Sequence, residues 1–318
     1  MSVVGSLRAT SSARQGRETG MHIHYGYDIE IQCEQELPSI LMLDIHPDRR
    51  SDITQPDTMT VTALAGGISC PTETYLDSFG NICRRVTLPP GGAQISALGI
   101  LHDSGFPDPS PVETAIVPPE ALPADTLGFL LGSRYCETDQ MTAMAWQMFG
   151  SLPPGGAQVQ AICDFVHRHI RFDYKAARST RTAVEAFTEG VGVCRDYAHL
   201  AITLCRCMNI PARYCTGYLG DIGVPADAQP MDFSAWFEVF LGGRWFALDA
   251  RHNQPRIGRI VIARGRDATE VPFFHSFGPH RLTHFSVVTE AVSGERFPQT
   301  AENRRDHWES IARIRSAG

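Results

Sequence analysis

A cysteine that opens a strong helical segment is the first residue of this sequence whose type and position could do chemistry. Cys194 follows the tetrapeptide GVGV at 190–193 and begins an apolar-periodic segment that runs to about Met208. Free amide groups at a helix N-terminus lower the pKa of a thiol, and they could also hold an oxyanion. The sequence therefore predicts a nucleophile at Cys194, with a buried structural cysteine as the alternative.

Residues 230–253 read as one antiparallel hairpin that brings a carboxylate toward this helix start. A two-residue turn at 242–243 gives these pairs: Leu241 with Arg244, Phe240 with Trp245, Trp236 with Asp249, and Ser234 with Arg251. One face is apolar and should pack on the core, whereas the other carries Ser234, Trp236, Glu238 and Asp249. Asp249 is then a diagonal neighbour of position 234. A thiol, a carboxylate and a position between them are the layout of a Cys-His-Asp triad.

Three segments carry a resemblance to the bacterial transglutaminase-like (papain-like) cysteine enzyme family. They are GSRYCETD at 132–139, GVCRDYAHLAITLCRCMNIPARYCTGYLGD at 192–221 and AWFEVFLGGRWFALDARHN at 235–253. The resemblance covers roughly residues 130–290. It implies an α+β fold: a papain-like transglutaminase core of helices packed on an antiparallel sheet, preceded by a small all-β sandwich domain.

The resemblance also implies roles for individual residues. Cys194 is the expected nucleophile and Asp249 the residue that orients the base. Ser234 stands where the family has its base histidine, and a serine hydroxyl cannot accept a thiol proton near neutral pH. Trp236 and Tyr218 are expected to bind substrate along the cleft, with core packing as the alternative.

Other histidines could supply the missing base. His199 lies five residues beyond Cys194 on the same helix, about 140 degrees around it, and should face away. His252 has the wrong strand parity relative to Asp249, unless an irregularity after Ala250 rotates it. The last segment carries three histidines that the sequence cannot place: His275, His280 and His284.

The expected function is acyl transfer, that is, amide or peptide hydrolysis or amine transfer through a Cys194 thioester, impaired by Ser234. The alternative is an inactive pseudoenzyme or a binding protein that uses the same cleft. A serine introduced at 234 by substitution would also explain the pattern. No sequence signal selects a substrate, hydrolysis over amine transfer, or an oligomeric state.

The resemblance implies a peptide or protein amide substrate, and composition argues against two other classes of partner. The net charge of −7 and pI near 5.9 argue against nucleic acid, and no apolar run is long enough for a membrane-spanning helix. Nine scattered cysteines fit a reducing cytoplasm. Cys205 and Cys207 point about 200 degrees apart on a helix, so no metal site is expected with Cys215. Thioester chemistry needs no cofactor.

The sequence divides into five parts by composition and periodicity. Residues 1–20 are rich in Ser, Arg and Gly and predict a disordered lead, and residues 21–103 carry the short alternating runs of a β-sandwich-like domain. A proline-rich linker follows at 104–125. Residues 126–292 are expected to form the transglutaminase-like core that the resemblance implies, and residues 293–318 a C-terminal helical tail.

Overall fold

The computed structural model describes residues 20–56, 58–227 and 229–292. The predicted disordered lead, apart from its last residue, and the predicted helical tail lie outside these ranges. The described chain has a β-rich first part and a second part in which helices precede antiparallel strands. This arrangement confirms the expected α+β class with an all-β N-terminal region.

The first part contains two antiparallel sheets. Its strands are β1 (Met21–Gln32), β2 (Leu37–Leu41), β3 (Ile53–Gln55), β4 (Thr60–Ala63), β5 (Glu73–Leu76), β6 (Ile82–Leu88) and β7 (Ala93–Asp103). Strands β1 and β7 bury alternate residues, as their apolar alternation predicts. Each sheet is completed by a strand from the far end of the described chain: β14 (Phe274–Ser276) joins β2, and β15 (Arg281–Ala291) joins β1.

The partners of these two strands lie far away in the sequence. The sequence places residues 274–291 in the core at 126–292, whereas their backbone hydrogen bonds go to the first two sheets. Strand β15 pairs along nearly the whole of β1, from Ile23 opposite Ala291 to Gln32 opposite Arg281. The alternating pattern of β15 gives its strand character, whereas the partner strand is a property of the tertiary structure.

The second part builds the core around one buried helix. Its helices are α1 (Thr138–Phe149), α2 (Gly156–His169), α3 (Ala183–Glu189) and α4 (Cys194–Cys207). Its strands are β8 (Arg171–Phe172), β9 (Val191–Gly192), β10 (Ala212–Tyr218), β11 (Ser234–Leu241), β12 (Arg244–Leu248) and β13 (Ile260–Gly265), the last four in the order β12-β11-β10-β13. Helix α4 packs on β11 and β10 and against the other three helices, so nearly all of its residues are buried.

The hairpin forms with the expected register but ends earlier than expected. Leu241 pairs with Arg244 and Phe240 with Trp245, and the ladder stops at Phe237 and Leu248. The sequence predicted that pairing would continue to Trp236 with Asp249 and Ser234 with Arg251. Beyond Leu248 the second strand gives way to a turn, and this turn decides where the residues after 248 point.

The sheet of the core is covered on both faces. One face packs on α4, and the other, which includes Glu238, lies against the first part of the chain. There Arg264 hydrogen-bonds Asn81, and the backbone N–H of His46 donates to Val261. Burial and the Arg264 charge lower the pKa of His46 to about 4, so this imidazole is neutral at pH 7. The two parts of the molecule therefore share a polar, largely buried interface.

Candidate functional site

Cys194 is the first residue of α4 and faces a cavity between that helix and β11. Its thiol is partly exposed to the cavity, and the backbone N–H of Ala235 on β11 is hydrogen-bonded to it. Protein surrounds the sulfur on its other sides, and this desolvation raises the pKa of the thiol to about 11 despite the Ala235 amide and the nearby Arg251 charge. The sequence predicted a lowered pKa. That prediction was wrong because burial outweighs the helix N-terminus.

The start of α4 is fixed by a buried ion pair. Asp196 accepts the N–H of Val193 at 2.9 Å and a guanidinium N–H of Arg181 at 3.0 Å. A side chain on Gly192 would meet the Asp196 carboxylate at 2.7 Å, so only glycine fits there. The absence of a side chain at Gly192 therefore makes room for the Asp196 carboxylate. Asp196 thereby caps the helix that carries the nucleophile.

Asp249 turns the chain at the end of β12 and thereby places His252. Its Oδ1 accepts the backbone N–H groups of Arg251 at 3.0 Å and His252 at 3.2 Å, and its carbonyl accepts the N–H of Asn253 at 2.7 Å. Aspartate side chains commonly stabilise turns in this way. Because residues after Leu248 lie in a turn and not in a strand, strand alternation does not set the direction of the His252 side chain. The imidazole instead lies next to the Asp249 carboxylate.

The ring of His252 is held by Asp249 at short range. His252 Nδ1 lies 2.8 Å from Asp249 Oδ2. Although burial alone would raise the pKa of Asp249, the hydrogen bond with His252 and the Arg259 charge hold it well below its ordinary value. Asp249 is therefore a carboxylate, and in a neutral imidazole this contact places the hydrogen on Nδ1 and leaves Nε2 as the acceptor. Nε2 has no hydrogen-bond partner in the part of the chain that the structure describes.

A buried arginine contacts the same carboxylate oxygen as His252. Arg259 Nη2 lies 3.2 Å from Asp249 Oδ2, and its Nε lies 2.7 Å from Asp108 Oδ2. Asp108 belongs to the proline-rich segment between the two parts, and its second contact is the backbone N–H of Arg256. The segment that the sequence indicated as a linker thus completes the ion-pair chain behind the site.

One cavity collects the functional side chains. Cys194, Ser234 and His252 line it, together with Tyr174, Arg251, Asp232 and further residues of 219–233. Asp249 lies behind His252, with only 3% of its side chain exposed. The sequence predicted a groove bordered by Cys194, Ser234 and Asp249. The structure keeps Cys194 and Ser234 at the cavity and puts an imidazole in front of the carboxylate.

The two expected substrate-binding residues lie elsewhere. Trp236 is buried among Cys215 and Val261, with Arg259 5.1 Å from its ring centre, and Tyr218 is buried against Tyr25 and Phe233. Neither side chain lines the cavity. Both residues belong to strands of a sheet that packs against the first part of the chain. The sequence of the core alone does not show that this sheet face is buried.

The four other candidate histidines lie away from the cavity. His199 is fully buried, stacks on Tyr135 and accepts the N–H of Ala268 at 3.1 Å, so it faces away from the cavity as expected. The three histidines of the last segment lie in or beside β14 and β15, outside the cavity: His275, His280 and His284. The spacing Asp249 to His252, immediately after a strand, was the signal that could have identified the imidazole.

The raised pKa of Cys194 predicts slow alkylation at neutral pH. Iodoacetamide should modify Cys194 more slowly at pH 7 than a free cysteine, with a rate that rises through pH 10 as the thiol ionises toward its pKa of about 11. Mass spectrometry of the Cys194 peptide measures this rate separately from the other eight cysteines. A rate at pH 6 above that of free cysteine would contradict the expectation and indicate a preformed thiolate.

Two further properties bear on the kind of site. Among the residues that the structure describes, no three His, Cys, Asp or Glu side chains are grouped so that they could hold a metal ion. Within the same ranges, no helix is both long and apolar enough to cross a lipid bilayer.

Known proteins resemble this chain in both parts. A crystal structure described as "a Putative Cysteine Protease from Cytophaga hutchinsonii" is 26% identical, with a TM-score of 0.73 over 89% of this chain and 95% of that one. An uncharacterized protein of Mycobacterium leprae is 30% identical over 115 residues, and one of Mycobacterium tuberculosis is 33% identical over 134 residues. These matches cover 34% and 38% of this chain and about two fifths of the relatives, 40% and 43%.

The sequence of residues 142–250 matches the transglutaminase-like superfamily. The match includes α4 with Cys194 and the hairpin up to Asp249, the same two elements that meet at the cavity. It ends two residues before His252, so the imidazole of the site lies outside the matched segment. Together with the fold, these comparisons support the resemblance seen in the sequence: the chain carries a segment that matches the transglutaminase-like superfamily, within a fold similar to that of the protein described as "a Putative Cysteine Protease".

Proposed function

We propose that this protein is a cysteine acyl-transfer enzyme that acts on an amide or peptide bond through Cys194, with His252 as the base. The observation that carries the proposal is the 2.8 Å contact of His252 Nδ1 with Asp249 Oδ2, made by an imidazole that lines the same cavity as Cys194. The superfamily match supports the reaction class. The peptide or protein substrate is part of the proposal.

The proposed reaction begins with a neutral thiol and a neutral imidazole. Cys194 Sγ attacks the carbonyl carbon while the thiol proton passes to Nε2 of His252, and Asp249 stabilises the imidazolium that forms. When the tetrahedral intermediate collapses, the carbon–nitrogen bond breaks and His252 gives the proton to the leaving amine. Water or a second amine then attacks the thioester, with His252 again as base, and the acyl product leaves Cys194.

In this proposal the base comes from the turn after β12 instead of from β11. Ser234, at the cavity wall, needs no proton-carrying role, and a small side chain there leaves room next to the sulfur. The sequence-based expectation of an impaired enzyme remains a prediction, because it assumed that position 234 alone could supply the base. The second candidate, binding without turnover, is favoured by the raised pKa of Cys194, which keeps the ligand-free thiol un-ionised.

Trapping of the acyl group separates these two functions. The protein is incubated with a library of acyl-peptide anilides in the presence of hydroxylamine, and anilide release and acyl hydroxamate are measured. Cys194-dependent release, with hydroxamate replacing acid as hydroxylamine increases, is the expected result. Cys70→Ala is the matched control because Cys70 is also partly exposed but lies outside the cavity. Saturable peptide binding with no release in the entire library would favour the binding protein.

A further inference from the structure

Arg251 differs from its neighbouring arginines because it has no carboxylate partner. Arg256 lies 3.4 Å from Asp221 and donates to the carbonyl of Gly220, and Arg259 is held between Asp108 and Asp249. Arg251 forms no ion pair within 4 Å with any residue in the described ranges. Its guanidinium lies 3.9 Å from the centre of the Phe172 ring.

The position of Arg251 points its charge toward the reacting sulfur. Arg251 lines the cavity with Cys194, and its charge acts on both the Cys194 thiol and the Tyr174 hydroxyl. The turn that Asp249 caps fixes its backbone, because the Arg251 N–H donates to Asp249 and its carbonyl contacts His167 at 2.9 Å. A stacked, anchored guanidinium is pre-organised to hold a planar anion.

We propose that Arg251 recognises a carboxylate on the substrate, so that the preferred acyl or amine portion carries a carboxylate close to the scissile amide. Guanidinium groups hold carboxylates through parallel N–H···O bonds. The stack on Phe172 covers one face of the Arg251 guanidinium, and its edge meets the neutral Tyr174 hydroxyl in place of a carboxylate. The inference rests on the proposed function and adds the substrate class. The carboxylate could be a free C-terminus or an acidic side chain, since both present the same group.

Asp232 gives the cavity a second, opposite charge. It lines the same cavity and acts on both the Cys194 thiol and Arg251, but it lies beyond ion-pair distance from the guanidinium. A substrate carboxylate at Arg251 is therefore attracted by one side chain and repelled by the other. Variants at the two positions should change the preference for anions in opposite directions.

The first test uses two alkylating reagents of nearly equal size. Iodoacetate carries a carboxylate and iodoacetamide is neutral. The measured quantity is the rate of Cys194 alkylation by iodoacetate divided by the rate by iodoacetamide, at one pH and low salt. A variant that changes only the thiolate fraction of Cys194, directly or through His252, changes both rates equally and leaves this ratio unchanged. Arg251→Gln should lower this ratio by about fivefold to tenfold, the range of one partly exposed guanidinium–carboxylate interaction. Arg244→Gln is the matched control, because Arg244 also stacks on a ring, at 4.2 Å from Phe246, away from the cavity.

Asp232→Asn should raise the same ratio, since it removes the repelling charge. A ratio that is unchanged in Arg251→Gln would overturn the proposal, even if both rates fell together, because equal losses mean that Arg251 only stabilises the thiolate. Added salt should reduce the ratio in the wild-type protein and have less effect in Arg251→Gln.

A second test distinguishes the sources of the carboxylate and does not require turnover. Three short peptides are compared for their ability to protect Cys194 from iodoacetamide: one with a free C-terminus, its C-terminal amide, and the amide with an added aspartate. Protection by the first alone assigns a C-terminal carboxylate, and protection by the third assigns an acidic side chain. Either protection should weaken in Arg251→Gln. Equal protection by all three overturns the inference, whereas absence of anilide release would count only against the proposed function.

Discussion

Replacement of His252 by alanine is expected to lower kcat/KM for amide cleavage by about 10² to 10⁴, the usual contribution of a positioned acid–base group. The physical reason is that the Cys194 thiol, with a pKa of about 11, cannot form a nucleophile at pH 7 without a nearby acceptor for its proton. Steady-state release of the anilide measures the loss, and circular dichroism confirms that the fold is retained.

His284→Ala is the control for this experiment, because His284 is exposed on β15 and is one of the histidines that the sequence could not place. Its activity should equal that of the wild type. Ser234→His supplies a complementary comparison: with His252 in place, it should change kcat/KM by less than about tenfold. A large gain in kcat/KM in Ser234→His, together with unchanged kcat/KM in His252→Ala, would contradict the role of His252. It would show that the protein lacks a base at position 234.

Asp249→Ala is expected to reduce the free energy of unfolding by about 3–5 kcal/mol, as when one partner of a buried ion pair is removed. The substitution leaves Arg259 with Asp108 alone and frees the N–H groups of Arg251 and His252. It should also lower activity, because the turn then no longer holds the His252 ring. Urea unfolding followed by fluorescence measures the stability change.

Asp173→Ala is the matched control for Asp249→Ala. Asp173 also accepts the N–H of the residue two positions later and pairs with an arginine, Arg171, but that arginine is largely exposed. Asp173→Ala should reduce the free energy of unfolding much less than Asp249→Ala does, since solvent screens an exposed ion pair. An equal loss in the two variants would mean that the turn caps, and not the buried charges, account for the stability.

The pH dependence of this difference has a definite sign. The native pKa of Asp249 is held below its ordinary value of 3.8, so its contribution to stability is complete above about pH 4 and is lost as the pH falls toward the native pKa. The stability difference between wild type and Asp249→Ala should therefore be constant near neutral pH and shrink in acid. A difference that grows below pH 4 would contradict the ion-pair account.

Local features of the site followed directly from the sequence. The two glycines at 242–243 set the hairpin register because a two-residue turn permits one alignment of its strands. The apolar period after Cys194 predicted the helix that carries the thiol. These features depend on residues a few positions apart, so the order of residue types was enough to predict them.

Other features depend on contacts between distant segments, and only the tertiary structure decided them. The sign of the Cys194 pKa shift depends on how completely β11 and the 219–233 segment enclose the sulfur, and the place of Trp236 depends on the first sheets covering the core. The direction of His252 depends on where β12 ends, which the Asp249 turn and the ion pair to Arg259 determine together. The sequence by itself determined which elements carry the thiol and the carboxylate. Because burial and ion pairing sum over the whole fold, the tertiary structure alone decided which imidazole meets the carboxylate and lines the same cavity as the thiol.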